Sequence, residues 1–234
     1  MGTRHLTCIF ADGEYRLCHY GQWDGYPSGQ GAVITDFLLS KYDPEKFKEH
    51  ALLVEEFTQS EIDSIYEDHG AEPGSTYVSC AVADAVKAAH PELSRDTGAK
   101  ILELIAEKKG LKVPNTNDSS FAKDSLFCEW AYVLDLDRNK LEVYKGFNKS
   151  SVPEGERFAG PQKTTHDDEP SEYHPVKFFA EVDLTDREGL GVFVKALEAA
   201  KNLEYDEYEN PTRKKHDATW LRLQTSTTTI TVRS

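Results

Sequence analysis

Two tyrosines, a tryptophan, an aspartate and two glutamines stand among four glycines and one proline in the segment YGQWDGYPSGQG, Tyr20 to Gly31. Glycines let a backbone bend and approach other groups closely, and large aromatics beside them suit the wall of a pocket or a contact surface. Asp24 could orient a polar group or act as a base, with Trp23 and Tyr26 as a stacking wall and Tyr20, Gln22 and Gln30 as polar contacts. The same residues equally suit an ordered loop whose rings plug the end of a sheet. Ser28-Gly-Gln-Gly31 leads into a helix and could receive an anion there, although it lacks the Lys-Ser/Thr of a phosphate loop and the spacing of a dinucleotide fold.

Three further stretches carry chemistry-bearing side chains. In Ser94-Arg-Asp-Thr-Gly98, Ser94 suits a helix N-cap and Asp96 the positive end of the dipole, or Arg95 and Asp96 reach the aromatic loop. In Phe127-Cys-Glu-Trp-Ala-Tyr132, alternation along a strand places Cys128, Trp130 and Tyr132 on one face. Glu129 in so apolar a strand belongs either at a sheet edge or in a pocket. His166 to His174 (HDDEPSEYH) mixes imidazoles and carboxylates but matches neither a zinc-helix nor a calcium-loop spacing, and reads as a solvated acidic loop. Cys18 and His19 are adjacent on a strand and point to opposite faces, as do His5 and Cys8, which argues against a cysteine protease. No metal and no cofactor is expected.

The elements that position these groups follow from periodicity. Thr3–Phe10 and Tyr15–Tyr20 read as two strands about an Ala11–Glu14 turn. Helices are expected from Ser28 or Gln30 with Val33, Ile34, Phe37 and Leu38 inward, from Pro44, from Ser60, over Tyr77–His90, and over Arg95–Lys109 with Ser94 as cap and Gly110 as stop. Leu126–Leu136 and Leu141–Phe147 form the clearest strand pair. Lys149–Pro175 is a long polar excursion or lid; Lys177–Leu184 is a strand, Asp186 caps a last helix, and Thr219–Val232 is β-prone. Strands at both ends and a helical middle predict an α+β fold, a mainly antiparallel sheet packed by helices, in one domain over residues 1–234.

The chain has 234 residues, with 41 acidic against 27 basic side chains and a net charge of −14. That field disfavours nucleic acid and anionic membrane surfaces as partners. The first residues lack the apolar run of a signal peptide, and nothing approaches the ~18 apolar residues of a membrane span. A cytoplasmic protein is expected. Cys8, Cys18, Cys80 and Cys128 are widely spaced in apolar surroundings and read as buried reduced thiols.

With its MGTRHL opening, YGQWDGYPSGQG, SRDTGAKIL (94–102), and LFCEWAYVLDLD with LEVY (126–144), the chain resembles a family of small uncharacterised microbial and fungal proteins, which brings no activity with it. It is also similar, more weakly, to N-terminal-nucleophile hydrolases of the bile-salt and penicillin-V amidase group. That likeness implies an αββα sandwich, with Thr3 near the nucleophile position, Asp24 as the matching aspartate and Trp23 as its aromatic neighbour. Gly21 stands where that group places an arginine, and Met1 and Gly2 precede Thr3; Arg4 or Arg95 would replace the arginine. The expectation is an amide or peptide-like bond hydrolysed at a pocket made by the Tyr20–Gly31 loop, with Thr3, Asp24, Arg95 and Glu129 as its catalytic groups. The competing expectation is a binding module for a small molecule or peptide-like ligand, or a homo-oligomer whose contact anchors are Tyr20, Trp23 and Tyr26.

Overall fold

Alternation of apolar residues builds β1 (His5–Ala11) and β2 (Glu14–Gly21), paired antiparallel. Asp12 and Gly13 between them take positive φ (54° and 78°), the geometry that matches a two-residue turn to the strand twist. Asp137 pins this turn by accepting the Asp12 and Gly13 N–H groups at 2.9 and 3.0 Å. The computed structural model describes residues 2–75, 77–161, 171–209, 221–224 and 229–232.

The remaining strands of the main sheet are β5 (Trp130–Asp135), β6 (Lys140–Lys145), β7 (Lys177–Asp183), β8 (Leu221–Gln224) and β9 (Thr229–Val232), in the order β2-β1-β5-β6-β7-β9-β8. Only β1 and β5 run parallel, with His5 opposite Trp130 and Thr7 opposite Tyr132; the other pairs are antiparallel. A two-residue parallel ladder joins β3 (Glu55–Glu56) to β4 (Lys112–Val113). At the outer edge of β2, Thr116–Asp118 bonds the main chain of Cys18 on both sides, which interrupts the free ladder of that edge at its middle.

The sheet has two differently covered faces. Against one pack α1 (Ala32–Ser40), α2 (Pro44–Ala51), α5 (Ile101–Glu107) and α6 (Arg187–Glu209), burying Ile34, Phe37, Phe47, Ile105 and Leu197 on Ile9, Leu17, Tyr132 and Phe179. The other face buries Leu6, Cys8, Cys18, Ala131, Val133 and Tyr144 beneath Ala122, Phe158 and Val176. Its cover is a short turn and irregular chain rather than a second sheet; the two stacked sheets of an αββα sandwich are not found among the described residues. α3 (Gln59–Asp68) and α4 (Cys80–Ala89) contact each other beyond this core, α3 beginning with a Thr58–Glu61 capping box and α4 with Ser79 as cap.

The α+β class holds, and several boundaries move. Ser94 caps no helix: its hydroxyl accepts the Asp96 N–H, a 3-10 turn follows at Gly98–Lys100, and α5 starts only at Ile101. Gly98 at φ 51° interrupts a continuous helix from Arg95. β5 begins at Trp130, so alternation does not extend back to Cys128, which is buried on the face opposite Trp130 and Tyr132. Cys80, at the start of α4, is exposed, whereas Cys8, Cys18 and Cys128 are buried thiols. Part of the expected Lys149–Pro175 excursion is packed onto the sheet through Arg157 and Phe158; positions 162–170, with His166, lie outside the described residues.

Candidate functional site

The aromatic loop is anchored from below. Gly21 ends β2 directly over the His5 ring: a Cβ at this position would lie 2.1 Å from His5 Cε1. An arginine here, as the hydrolase likeness would have it, would displace that imidazole. Gly29 answers a similar demand, since its Cβ would meet the Asp24 carbonyl at 2.2 Å. The positive φ of the loop belongs to Asp24 (55°), a residue type that tolerates the left-handed region.

Hydrogen bonds then fix its course. The Gly25 N–H donates to the Thr3 carbonyl at 2.9 Å and the Gln30 N–H to the Asp24 carbonyl at 2.8 Å. Buried Tyr132 donates its hydroxyl to the Gly25 carbonyl at 2.8 Å. The Gln30 amide bridges two segments, donating to the Trp23 carbonyl and accepting the Ala99 N–H. Gln30 is therefore a clamp inside the loop. The expected anion position at Ser28 is filled by the protein itself: the Glu198 carboxylate of α6 accepts from the Ser28 N–H at 3.0 Å and its hydroxyl at 2.8 Å. Burial works against the Glu198 charge, but Lys201 and Ser28 together keep its carboxyl below the ordinary range.

What the anchored loop presents outward is Trp23, 49% exposed yet tethered. Its indole N–H donates to Asp96 Oδ1 at 2.9 Å, and the Gln22 N–H reaches the Arg95 carbonyl at 3.3 Å. Lys87 Nζ holds the other oxygen of Asp96 at 2.7 Å, and this bond lowers the Asp96 carboxyl pKa. Trp23, Arg95, Asp96, Lys87, Asp84 and Tyr66 surround a cleft of about 500 Å³ between the loop and α3–α4, within the size range of small-molecule sites.

The other expected site residues fall elsewhere. Thr3 lies beside Gly25 through its main chain. Asp24 is exposed and accepts the Tyr26 hydroxyl at 3.2 Å, a bond that raises the Tyr26 phenol pKa. Tyr20 points to the opposite face of the sheet, edge-on to Phe121, with its hydroxyl on Gln22 Oε1 at 2.6 Å. Glu129 sits just before β5 with its carboxyl beside Arg4; burial raises its pKa, and the Arg4 backbone and charge offset this in part. Of the nine expected residues, Trp23 and Arg95 line the cleft, and Tyr20, Gln22, Asp24, Tyr26, Gln30, Thr3 and Glu129 do not.

Two features escaped the sequence reading. His5, Thr7 and His19 form a buried polar row on the helix-covered face: both ring nitrogens of His5, the Thr7 hydroxyl and His19 Nε2 have no hydrogen-bond partner. Period-two spacing on β1 and the Thr7–His19 register would have grouped them. The second is a cavity on the opposite face around Arg157, whose signal was the isolated arginine within a segment read as a lid. Comparison of the chain with protein families, characterised proteins and solved structures gives no match.

Proposed function

We propose that this protein binds a small, polar, peptide-like molecule in the cleft between Trp23 and the Ser94–Asp96 turn. The observation that carries the reading is that Trp23 is half exposed while its indole N–H is tied to Asp96. A large aromatic surface held rigid in solvent loses little entropy when a ligand stacks on it, which is the property of binding anchors. Two cations, Lys87 and Arg95, and two carboxylates, Asp84 and Asp96, balance the charge of the cleft. Such a site suits a zwitterion better than a strongly charged anion or cation.

The test is calorimetric titration of the chain with a panel of dipeptides, repeated on Trp23→Ala. Loss of the anchor is expected to weaken binding by about tenfold or more. Equal affinity in both proteins would refute the reading. Sedimentation velocity on the same pair separates the homo-oligomer alternative, since only there does Trp23→Ala change the mass without ligand. The buried thiols Cys8, Cys18 and Cys128 suit the reducing environment of the cytoplasm.

Amide hydrolysis by an N-terminal nucleophile is a second reading, supported by the Gly25–Thr3 main-chain bond that sets Thr3 beside the Asp24 loop. It requires Thr3 to become the first residue, so that its α-amine serves as base for its own hydroxyl. Asp24 would orient that amine, Arg95 would carry the missing positive charge and Glu129 would assist proton transfer. The αββα sandwich belongs to this reading only. Intact mass of native protein decides it: loss of Met1 and Gly2 is required, and Thr3→Ala should then abolish turnover while leaving affinity unchanged.

A further inference from the structure

We infer that the Trp23 cleft selects short peptides with both ends free and a C-terminal aromatic residue. Arg95 receives the carboxylate, Asp84 receives the ammonium, and the aromatic side chain lies on Trp23. This rests on the reading above that the cleft binds a small peptide-like zwitterion, and adds which groups recognise it and in which direction it lies.

The charges of the cleft divide into a closed pair and two open groups. Lys87 of α4 reaches Asp96 Oδ2 at 2.7 Å, while Asp96 Oδ1 accepts the Trp23 indole N–H at 2.9 Å. This junction ties α4, the Ser94–Asp96 turn and the aromatic loop together, with both oxygens of Asp96 engaged. A ligand that displaced either bond would first have to replace a charge-assisted contact, so it gains little there. The Arg95 guanidinium and the Asp84 carboxylate border the same cleft, and neither has a hydrogen-bond or ion-pair partner among the described residues. They have opposite signs and belong to different walls, Arg95 to the turn and Asp84 to α4. Opposite charges that share a space without pairing are complementary to a ligand that carries both.

The direction follows from what holds Arg95. Its main-chain carbonyl accepts the Gln22 N–H at 3.3 Å, and the next residue, Asp96, holds the Trp23 ring. The Ser94 hydroxyl accepts the Asp96 N–H at 3.2 Å and closes the turn that carries both residues. Arg95 and Trp23 therefore share one wall, built by the loop and the turn it clasps. A carboxylate on Arg95 sets the side chain of the same residue beside the indole, which is 49% exposed. With its N–H already bonded to Asp96, the indole offers its ring face, which favours an aromatic side chain there. The amino end of the peptide then points across the cleft to Asp84.

The experiment is a low-salt calorimetric titration of the full chain with Ala-Phe, Phe-Ala, Ala-Ala, N-acetyl-Ala-Phe and Ala-Phe amide. It is run on the wild type, Arg95→Gln, Asp84→Asn and Trp23→Ala. Neither Arg95 nor Asp84 has a side-chain partner to lose, and an unchanged circular dichroism spectrum verifies each fold. Ala-Phe is expected to bind several-fold more tightly than Phe-Ala or Ala-Ala. Acetylating its amine or amidating its carboxylate should each weaken binding about tenfold, the lower end for hydrogen bonds to charged groups because both sites are exposed. The acetylation penalty should vanish in Asp84→Asn and the amidation penalty in Arg95→Gln, each variant keeping the other penalty. Capped and free peptides binding alike, penalties that survive the matching substitution, or Phe-Ala binding as tightly as Ala-Phe would overturn the inference. The proposed function would still stand in those cases if Trp23→Ala weakens the binding. Peptides that bind the wild type and Trp23→Ala equally, or that do not bind at all, would overturn both.

Discussion

Acid should unfold this protein through two histidines. His5 is fully buried, His19 is 5% exposed, and the two share a face of the β1–β2 hairpin with Thr7. Burial lowers the His5 pKa to about 3, with the nearby His19 adding to the effect, and burial lowers His19 to about 4. The Thr3 backbone offsets part of the His5 shift, and no carboxylate among the described residues counters either. In the unfolded chain both imidazoles titrate near their ordinary value of about 6.5. Depressed folded values mean that the unfolded state binds more protons, so stability is present above pH ~6.5 and is lost as pH falls toward 4 and then 3. From pH 7.5 to pH 5 each histidine costs roughly 1.5 pH units of linkage, or about 2 kcal/mol, and the pair about 4 kcal/mol. That is a large part of the roughly 5–15 kcal/mol that stabilises a typical domain. Urea denaturation monitored by circular dichroism at pH 7.5, 6 and 5 measures it. The His5→Leu/His19→Leu variant should lose most of this pH dependence while unfolding in a single transition. Parallel pH profiles for the wild type and the double variant would refute the reasoning.

Three other substitutions probe the framework of the site. Gly21→Ala forces a Cβ to within 2.1 Å of the His5 ring and should destabilise by about 1–3 kcal/mol in urea denaturation, as overpacked cores do. Tyr132→Phe leaves the Gly25 carbonyl without its buried donor; a loss of about 1–3 kcal/mol is expected, with a changed Trp23 fluorescence maximum as the loop relaxes. Arg157→Met strands buried Asp135 without its cation and leaves Glu142 to Arg138 and the Tyr144 hydroxyl, and should cost about 3–5 kcal/mol at neutral pH.

The parts of the fold legible in the sequence are those set by residues close together in the chain. Alternation defined the β1–β2 hairpin, and apolar spacing placed α1. Breakers and caps placed the starts of α2, α3 and α4 to within a few residues, but α2 stops at Ala51, α6 runs on to Glu209, and near Ser94 Gly98 overrides an otherwise helical composition. The Tyr20–Gly31 loop stood out because its composition is costly in a loop without a fixed shape. Strand periodicity also placed Cys18 and His19 on opposite faces, as they are.

Tertiary structure decided who meets whom. Trp23 finds Asp96, 73 residues on, and Ser28 finds Glu198, 170 residues on; the first pairing borders the cleft and the second fills an expected anion site. Composition suggested that the loop glycines were there for backbone freedom, whereas at Gly21 and Gly29 the requirement is room for a neighbour that only folding supplies. Arg157, one arginine in a polar stretch, becomes the centre of a buried ionic network because its segment lies across β5 and β6. Periodicity tells which side of a strand a residue faces. It carries no information about the group packed against that side, because such pairings form only when layers distant in sequence dock and exclude water between them.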